Sequence, residues 1–251
     1  MLYYPHRSPT KGAKRAMLLY IIRHGDPIYE TDTLTEKGKR QAEAVGRRLA
    51  SRRFDRVYAS ANKRAQETAK PFCELTGLPL QIEPWTSESL AWRDLSVETD
   101  EGRTWAFTSV PNTAFRREES LRAGDDWHRL PEFAAIDGPA AYGRIIAASD
   151  EFLARQGYVR EGRVYRAVRP NDERVAVFCH QGFGLTWLSH LLQIPPQMFW
   201  ASFDITHTGV TILQFKADKN GFAAPRCLCF SDMSHLYAER LPMVYVNDFE
   251  V

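Results

Sequence analysis

The chain has 251 residues, 44% of them hydrophobic and 25% charged, with a formal net charge of +2. This is ordinary for a soluble globular protein and long enough for one large α/β domain, with or without a sizeable insertion. The near-neutral charge gives no reason to expect nucleic acid as a partner, and no run of about 18 apolar residues indicates a membrane span.

In chain order, residues 1–16 are basic (His6, Arg7, Lys11, Lys14, Arg15) and read as a flexible lead-in to a single domain over 17–251. The apolar run that follows is too short for a signal-peptide core. Four cysteines do not make a disulfide framework, so a reducing cytoplasm is the default. Met17 to Ile22 reads as a buried strand that ends in Arg23-His24-Gly25. Ligands in open α/β sheets bind at the carboxyl ends of strands, and a guanidinium beside an imidazole suits a phosphate there. The loop 25–34 has a polar tip. Thr35 is placed to cap a helix that runs to about residue 51. A strand over 55–59 ends at Ser60, and a helix over 62–76 carries Arg64 near its start and stops at Gly77-Leu78-Pro79. A third strand spans 80–83 and is followed by Trp85-Thr86-Ser87-Glu88.

Over 93–140 the periodicity fades and tryptophans mix with Gly, Pro and charge, which predicts an insertion over the site built of short helices. A helix over 139–156 and a hairpin arm over 158–169 follow. The apolar run 174–179 ends in His180-Gln181-Gly182 and leads into a helix over 182–192. Strands at 210–215 and 226–230 are joined by a turn at 218–221. Strands alternating with helices predict a mostly parallel sheet covered on both faces.

Five pieces stand in this order: Arg23-His24-Gly25; Leu34-Thr35-Glu36-Lys37-Gly38 with Gln41-Ala42; Ser60 with Arg64-Ala65 and Thr68-Ala69; Trp85-Thr86-Ser87-Glu88; and His180-Gln181-Gly182. Together they resemble the histidine phosphatase superfamily, the branch with cofactor-dependent phosphoglycerate mutases and many small phosphomonoesterases. The resemblance implies a three-layer α/β/α sandwich, with a mostly parallel central sheet and one antiparallel edge strand. It implies a metal-independent phosphomonoesterase acting on a small phosphoester, with His24 forming a phosphohistidine. Arg23 and Arg64 would bind the phosphoryl oxygens, and His180 would donate to them as an imidazolium. Glu88 would be the proton donor, its pKa raised beside Trp85 and Trp92, with Glu83 and Glu98 as rivals. Ser60, the backbone around Gln181 and residues 26–33 are secondary phosphate contacts on this reading. Ser60 reads equally as a helix cap.

No cofactor and no metal are expected, because cationic side chains would repel a metal ion. Trp105, Trp127 and Asp125-Asp126-Trp127-His128 are candidates for the leaving-group pocket. Arg116-Arg117 keeps a phosphoglycerate mutase open, although Asp26-Pro27-Ile28-Tyr29 departs from the mutase pattern of a small polar residue and a Trp-Asn pair. A catalytically silent phospholigand-binding protein on the same fold is a third reading. The substrate's identity and the oligomeric state, a homo-oligomer included, stay open.

Overall fold

The computed structural model describes residues 15–245 and 249–250. Most of the expected lead-in, residues 1–14, lies outside the described residues, and Ala16 already opens the first strand.

Strand β1 (Ala16–Arg23) is followed by a small hairpin, β2 (Pro27–Ile28) and β3 (Thr33–Leu34), and by helix α1 (Glu36–Ala50). Next come β4 (Arg56–Ala59), α2 (Lys63–Thr76), β5 (Leu80–Ile82) and α3 (Glu88–Leu95). The expected insertion holds a second hairpin, β6 (Ser96–Thr99) and β7 (Gly102–Trp105), then single-turn helices and α4 (Glu118–Ala123). Helix α5 (Gly138–Arg155) leads through the arm β8 (Tyr158–Glu161) and β9 (Val164–Ala167) to β10 (Arg174–Cys179), α6 (Gln181–Leu192) and α7 (Pro196–Trp200). The chain closes with β11 (Val210–Lys216), β12 (Phe222–Ala223), β13 (Arg226–Asp232), α8 (Ser234–Ala238) and a pair, β14 (Val244–Tyr245) and β15 (Phe249–Glu250).

Six strands form the central sheet in the order β13-β11-β1-β10-β4-β5. β1, β10, β4 and β5 are mutually parallel, while β11 is antiparallel to β1 and β13 antiparallel to β11. The antiparallel strand was expected at the edge and stands one place in. After β11 the chain turns at 218–221, pairs with the arm through β12, and returns outside β11 as β13.

Alternation along the strands splits the core into two layers. Leu19, Ile21, Val175 and Val177 face the layer of α5 and α6, where they meet Phe152, Phe183 and Trp187. Ile22, Val57, Ala176 and Phe178 face α1 and α2, against Val45, Leu49 and Phe72. Phe107, Phe115, Trp127 and Phe133 of the 93–140 stretch join the first of these clusters. Helix α6 is buried on every side from Gly182 through Leu191, its polar Thr186, Ser189 and His190 included. No helix among the described residues is long and apolar enough to cross a membrane.

Local chemistry sets the ends of the elements near the site. The Thr35 side chain accepts from the Gly38 N–H and starts α1, and Gly77 at φ 72° stops α2. Gly25 and Gly38 face each other so closely that a Cβ on Gly25 would lie 2.7 Å from the Gly38 carbonyl oxygen. A Cβ on Gly38 would strike the Asp26 backbone. The loop after β1 therefore lies flat on the first turn of α1.

Candidate active site

β1 and β10 are neighbours in the sheet, and their carboxyl ends bring His24 and His180 to a ring-centroid distance of 5.2 Å. The His24 N–H donates to the Cys179 carbonyl at 2.9 Å and ties the two ends together. Nδ1 of His24 is 2.7 Å from the Gly25 carbonyl oxygen. Only a donor satisfies that contact, so Nδ1 carries the proton and Nε2 keeps its lone pair. The Gly25 N–H donates to Thr68 Oγ1 at 3.0 Å, and the Thr68 hydroxyl donates to the Arg64 carbonyl at 2.7 Å. The Asp26 N–H donates to Gln41 Oε1 at 2.9 Å. Gln41 and Thr68 thus hold the backbone that follows His24.

Arg23 is buried and donates to the Ile205 carbonyl at 2.6 Å and to Nε2 of His207 at 2.9 Å. Arg64, in the first turn of α2, is ion-paired with Asp32, whose other oxygen accepts from the Lys63 N–H at 2.7 Å. Glu88 opens α3, and its two oxygens accept from the N–H groups of Gly182 (3.1 Å) and Phe183 (2.9 Å). Those are unpaired donors at the start of α6, where the helix dipole favours an anion. Arg23, His24, Arg64, Glu88 and Gln181 line one cavity of about 560 Å³ with Tyr29, Ser89, Trp92 and Trp105. A Cβ on Gly182 would enter the Trp105 ring, so that glycine is what lets the tryptophan lie against the start of α6.

Burial sets the electrostatics. It pushes His24 well below the ordinary histidine range, helped by His180, Arg23 and Arg64. His180 is lowered in the same way by burial, Arg64 and Arg23. The sequence reading has His180 as an imidazolium beside a phosphate dianion; with no anion bound, burial and two guanidiniums oppose that charge. Burial lifts Glu88 above the ordinary carboxyl range, against the pull of the two amides, Arg64 and Arg23. Nδ1 of His180 and Nε of Arg64 are buried with no hydrogen-bond partner among the described residues. A bound oxyanion would satisfy such atoms.

The remaining expectations divide. Ser60 is fully buried, with its hydroxyl 2.8 Å from Nε2 of His180 and 3.2 Å from the Asn62 N–H. Ser60 braces His180, which stands beside His24 but, like Ser60, is not among the residues lining the cavity, and Asn62, not Ser60, is the N-cap of α2. The Gln181 amide is drawn to Asp204. Asp26 is engaged by the Thr35 hydroxyl at 2.7 Å and by Lys37 at 3.2 Å. Asp32 serves Arg64, so these carboxylates position cations instead of meeting phosphate. Glu83 accepts from Trp85 and pairs with Arg155, while Glu98 pairs with Arg103 on the exposed hairpin; neither lines the cavity. Trp105 lines it, but Trp127 packs on Phe107 and Phe133, and Asp125 and His128 border a separate cavity beside His190. Arg116 donates to Ala201 and Ser202, and Arg117 pairs with Glu132, both away from the cavity.

Sequence reasoning missed His207. It repeats, as His207-Thr208-Gly209, the pattern of a histidine closely followed by glycine seen at His24 and His180. It stands before an antiparallel strand, so it reaches the same end of the sheet as the carboxyl end of β1.

Three comparisons bear on this geometry. The sequence model of the histidine phosphatase superfamily (branch 1) matches residues 19–226. The mitochondrial serine/threonine-protein phosphatase Pgam5 of Drosophila sechellia is 41% identical over 64 residues, 23% of this chain and 22% of that protein. The Pgam5 of Drosophila persimilis is 43% identical over 218 residues, 82% of this chain and 61% of that protein. The chain thus spans about a fifth of the first relative and under two thirds of the second. Among solved structures, the mycobacterial glucosyl-3-phosphoglycerate phosphatase superposes with a TM-score of 0.57 at 21% identity, over 86% of this chain and 99% of that one, a likeness of fold. With the two strand-end histidines and the two arginines gathered within a match that runs through most of its length, this chain belongs to branch 1 of the histidine phosphatase superfamily.

Proposed function

We propose that the chain is a phosphomonoesterase that passes the phosphoryl group to Nε2 of His24 and then to water. The observation that carries this reading is the Nδ1 contact with the Gly25 carbonyl, which leaves Nε2 as the free lone pair of a cavity-lining histidine. Burial keeps that imidazole neutral at pH 7, so it attacks without prior deprotonation. In the first step the N–P bond forms as the ester P–O bond breaks, and the Glu88 carboxylic acid gives its proton to the leaving oxygen. In the second, the Glu88 carboxylate takes a proton from water, the water oxygen attacks phosphorus, and the N–P bond breaks to release inorganic phosphate. Arg23 and Arg64 spread charge from the equatorial oxygens, and His180 offers Nδ1–H once the Ser60 hydroxyl turns from Asn62 Oδ1 to donate to its Nε2. The relatives named above are called phosphatases with different substrates, which supports ester hydrolysis as the shared chemistry.

The test is turnover of an aryl phosphate in excess chelator by wild type and His24→Ala. Wild-type turnover is expected to survive chelation, and the variant to lose on the order of a thousandfold or more. Turnover that needs added metal, or that persists without His24, overturns the reading.

A further inference from the structure

The phosphoryl end of the cavity is cationic, but its outer walls are of another kind. Tyr29 comes from the β2–β3 hairpin, Trp92 from α3 and Trp105 from β7. Trp92 and Trp105 meet edge to face, with ring centroids 4.8 Å apart and planes at 88°. Trp105 is braced behind by Trp200 at 5.4 Å and by the bare backbone of Gly182. Tyr29 lines the cavity where it meets the cationic end, its ring 5.5 Å from the Arg64 guanidinium and its hydroxyl hydrogen-bonded to Arg23. Aromatic surface from three separate elements therefore borders the space beyond the phosphate.

The polar groups in that space are few. Ser89 accepts from the Asn62 amide at 3.3 Å, and Gln181 is drawn to Asp204. The lining cations among the described residues are Arg23 and Arg64, both committed to the His24 end. The adjacent arginines Arg116 and Arg117 point to other partners. A carboxylate in the leaving group would meet no counter-charge beyond the two arginines of the His24 end, and a polyhydroxylated one would exchange much of its water for ring faces.

Resting on the phosphatase reading above, we infer that the preferred substrates are aryl phosphomonoesters, with a planar aromatic leaving group held by Tyr29, Trp92 and Trp105. Ring-on-ring contacts of this kind favour an aromatic ligand beyond what its buried area supplies.

Aryl esters also hydrolyse more readily than alkyl ones, so binding of non-hydrolysable mimics is the clean readout. Benzylphosphonate and 3-phosphonopropionate, an anionic alkyl mimic, are titrated calorimetrically into wild type, Tyr29→Leu and Trp92→Leu. Wild type should bind benzylphosphonate at least about tenfold more tightly, and each variant should narrow that gap about threefold or more. Equal binding of the two ligands, tighter binding of 3-phosphonopropionate, or a gap unchanged in both variants overturns the inference. Tyr29 stands 64% exposed on its hairpin, so its variant remains informative if Trp92→Leu fails to fold. Loss of His24-dependent turnover would strike the phosphatase reading alone, because the ligand preference is measured without catalysis.

Discussion

Two backbone amides and a dry cavity pull Glu88 in opposite directions, and burial wins. A carboxyl so placed is protonated to higher pH than an exposed one, and then it can act as an acid. Glu88→Gln should lower kcat for an alkyl phosphate by roughly a hundredfold to ten-thousandfold, because an alkoxide needs a proton to leave. In kcat/KM, which reports the step that expels the leaving group, the loss should be much smaller for nitrophenyl phosphate, whose leaving group needs no proton. Wild-type kcat on the alkyl ester should fall as pH rises through the raised Glu88 pKa, and the variant should lose that limb. Equal losses in kcat/KM on both substrates would mean that Glu88 is not the acid for the leaving oxygen. The resemblance pointed to Glu88, which lines the cavity, whereas only their partners Trp85, Arg155 and Arg103 show that Glu83 and Glu98 lie off it. Asp32 and His207 were less legible, since each gains its meaning from a contact made far along the chain, with Arg64 and with Arg23.

Elements with a clear period and a clear stop were readable. α1 begins at its Thr35 cap and α2 ends at Gly77, both where sequence reasoning put them. The 93–140 stretch resisted because single-turn helices have no period to detect, and because its rings pack into the core of the neighbouring layer. The glycine pair at 25 and 38 offers a test of the loop contact it permits. Gly38→Ala should cost about 1–3 kcal/mol, since backbone and not a mobile side chain stands where the methyl must go. Activity should fall with it, because the displaced loop carries the backbone after His24. Gly143→Ala is the matched control: it lies in α5 with open space around its Cβ position, and gains up to about 1 kcal/mol from helix propensity. Urea midpoints of the two variants check both signs.

At the scale of the whole molecule, His24, His180, His207 and His235 share one property. His24 and His180 are held well below their ordinary range, His207 is lowered to about 2 and His235 to about 4, each mainly by burial. Once unfolded, each titrates near about 6.5. Below that pH the unfolded chain binds protons that the native one refuses, so stability falls as pH falls, by about 1.4 kcal/mol per pH unit for each histidine. Urea unfolding between pH 8 and 5 should show this slope, and His235→Gln should remove one histidine's share of it whatever it does to stability at pH 8. A slope unchanged in that variant would contradict the assignment. The layered α/β plan was legible from alternating strands and helices. The place of the antiparallel strand was not, because it depends on how the last strands return past the arm. That return also shapes the sheet's two flanks. One is β5, with only three residues, and the other is β13, whose register against β11 shifts twice. A short flank and an irregular one are both poor templates for an incoming strand. Runaway growth of the sheet from one molecule to the next is therefore disfavoured at both ends, and this chain should refold from dilute denaturant with little fibrillar loss.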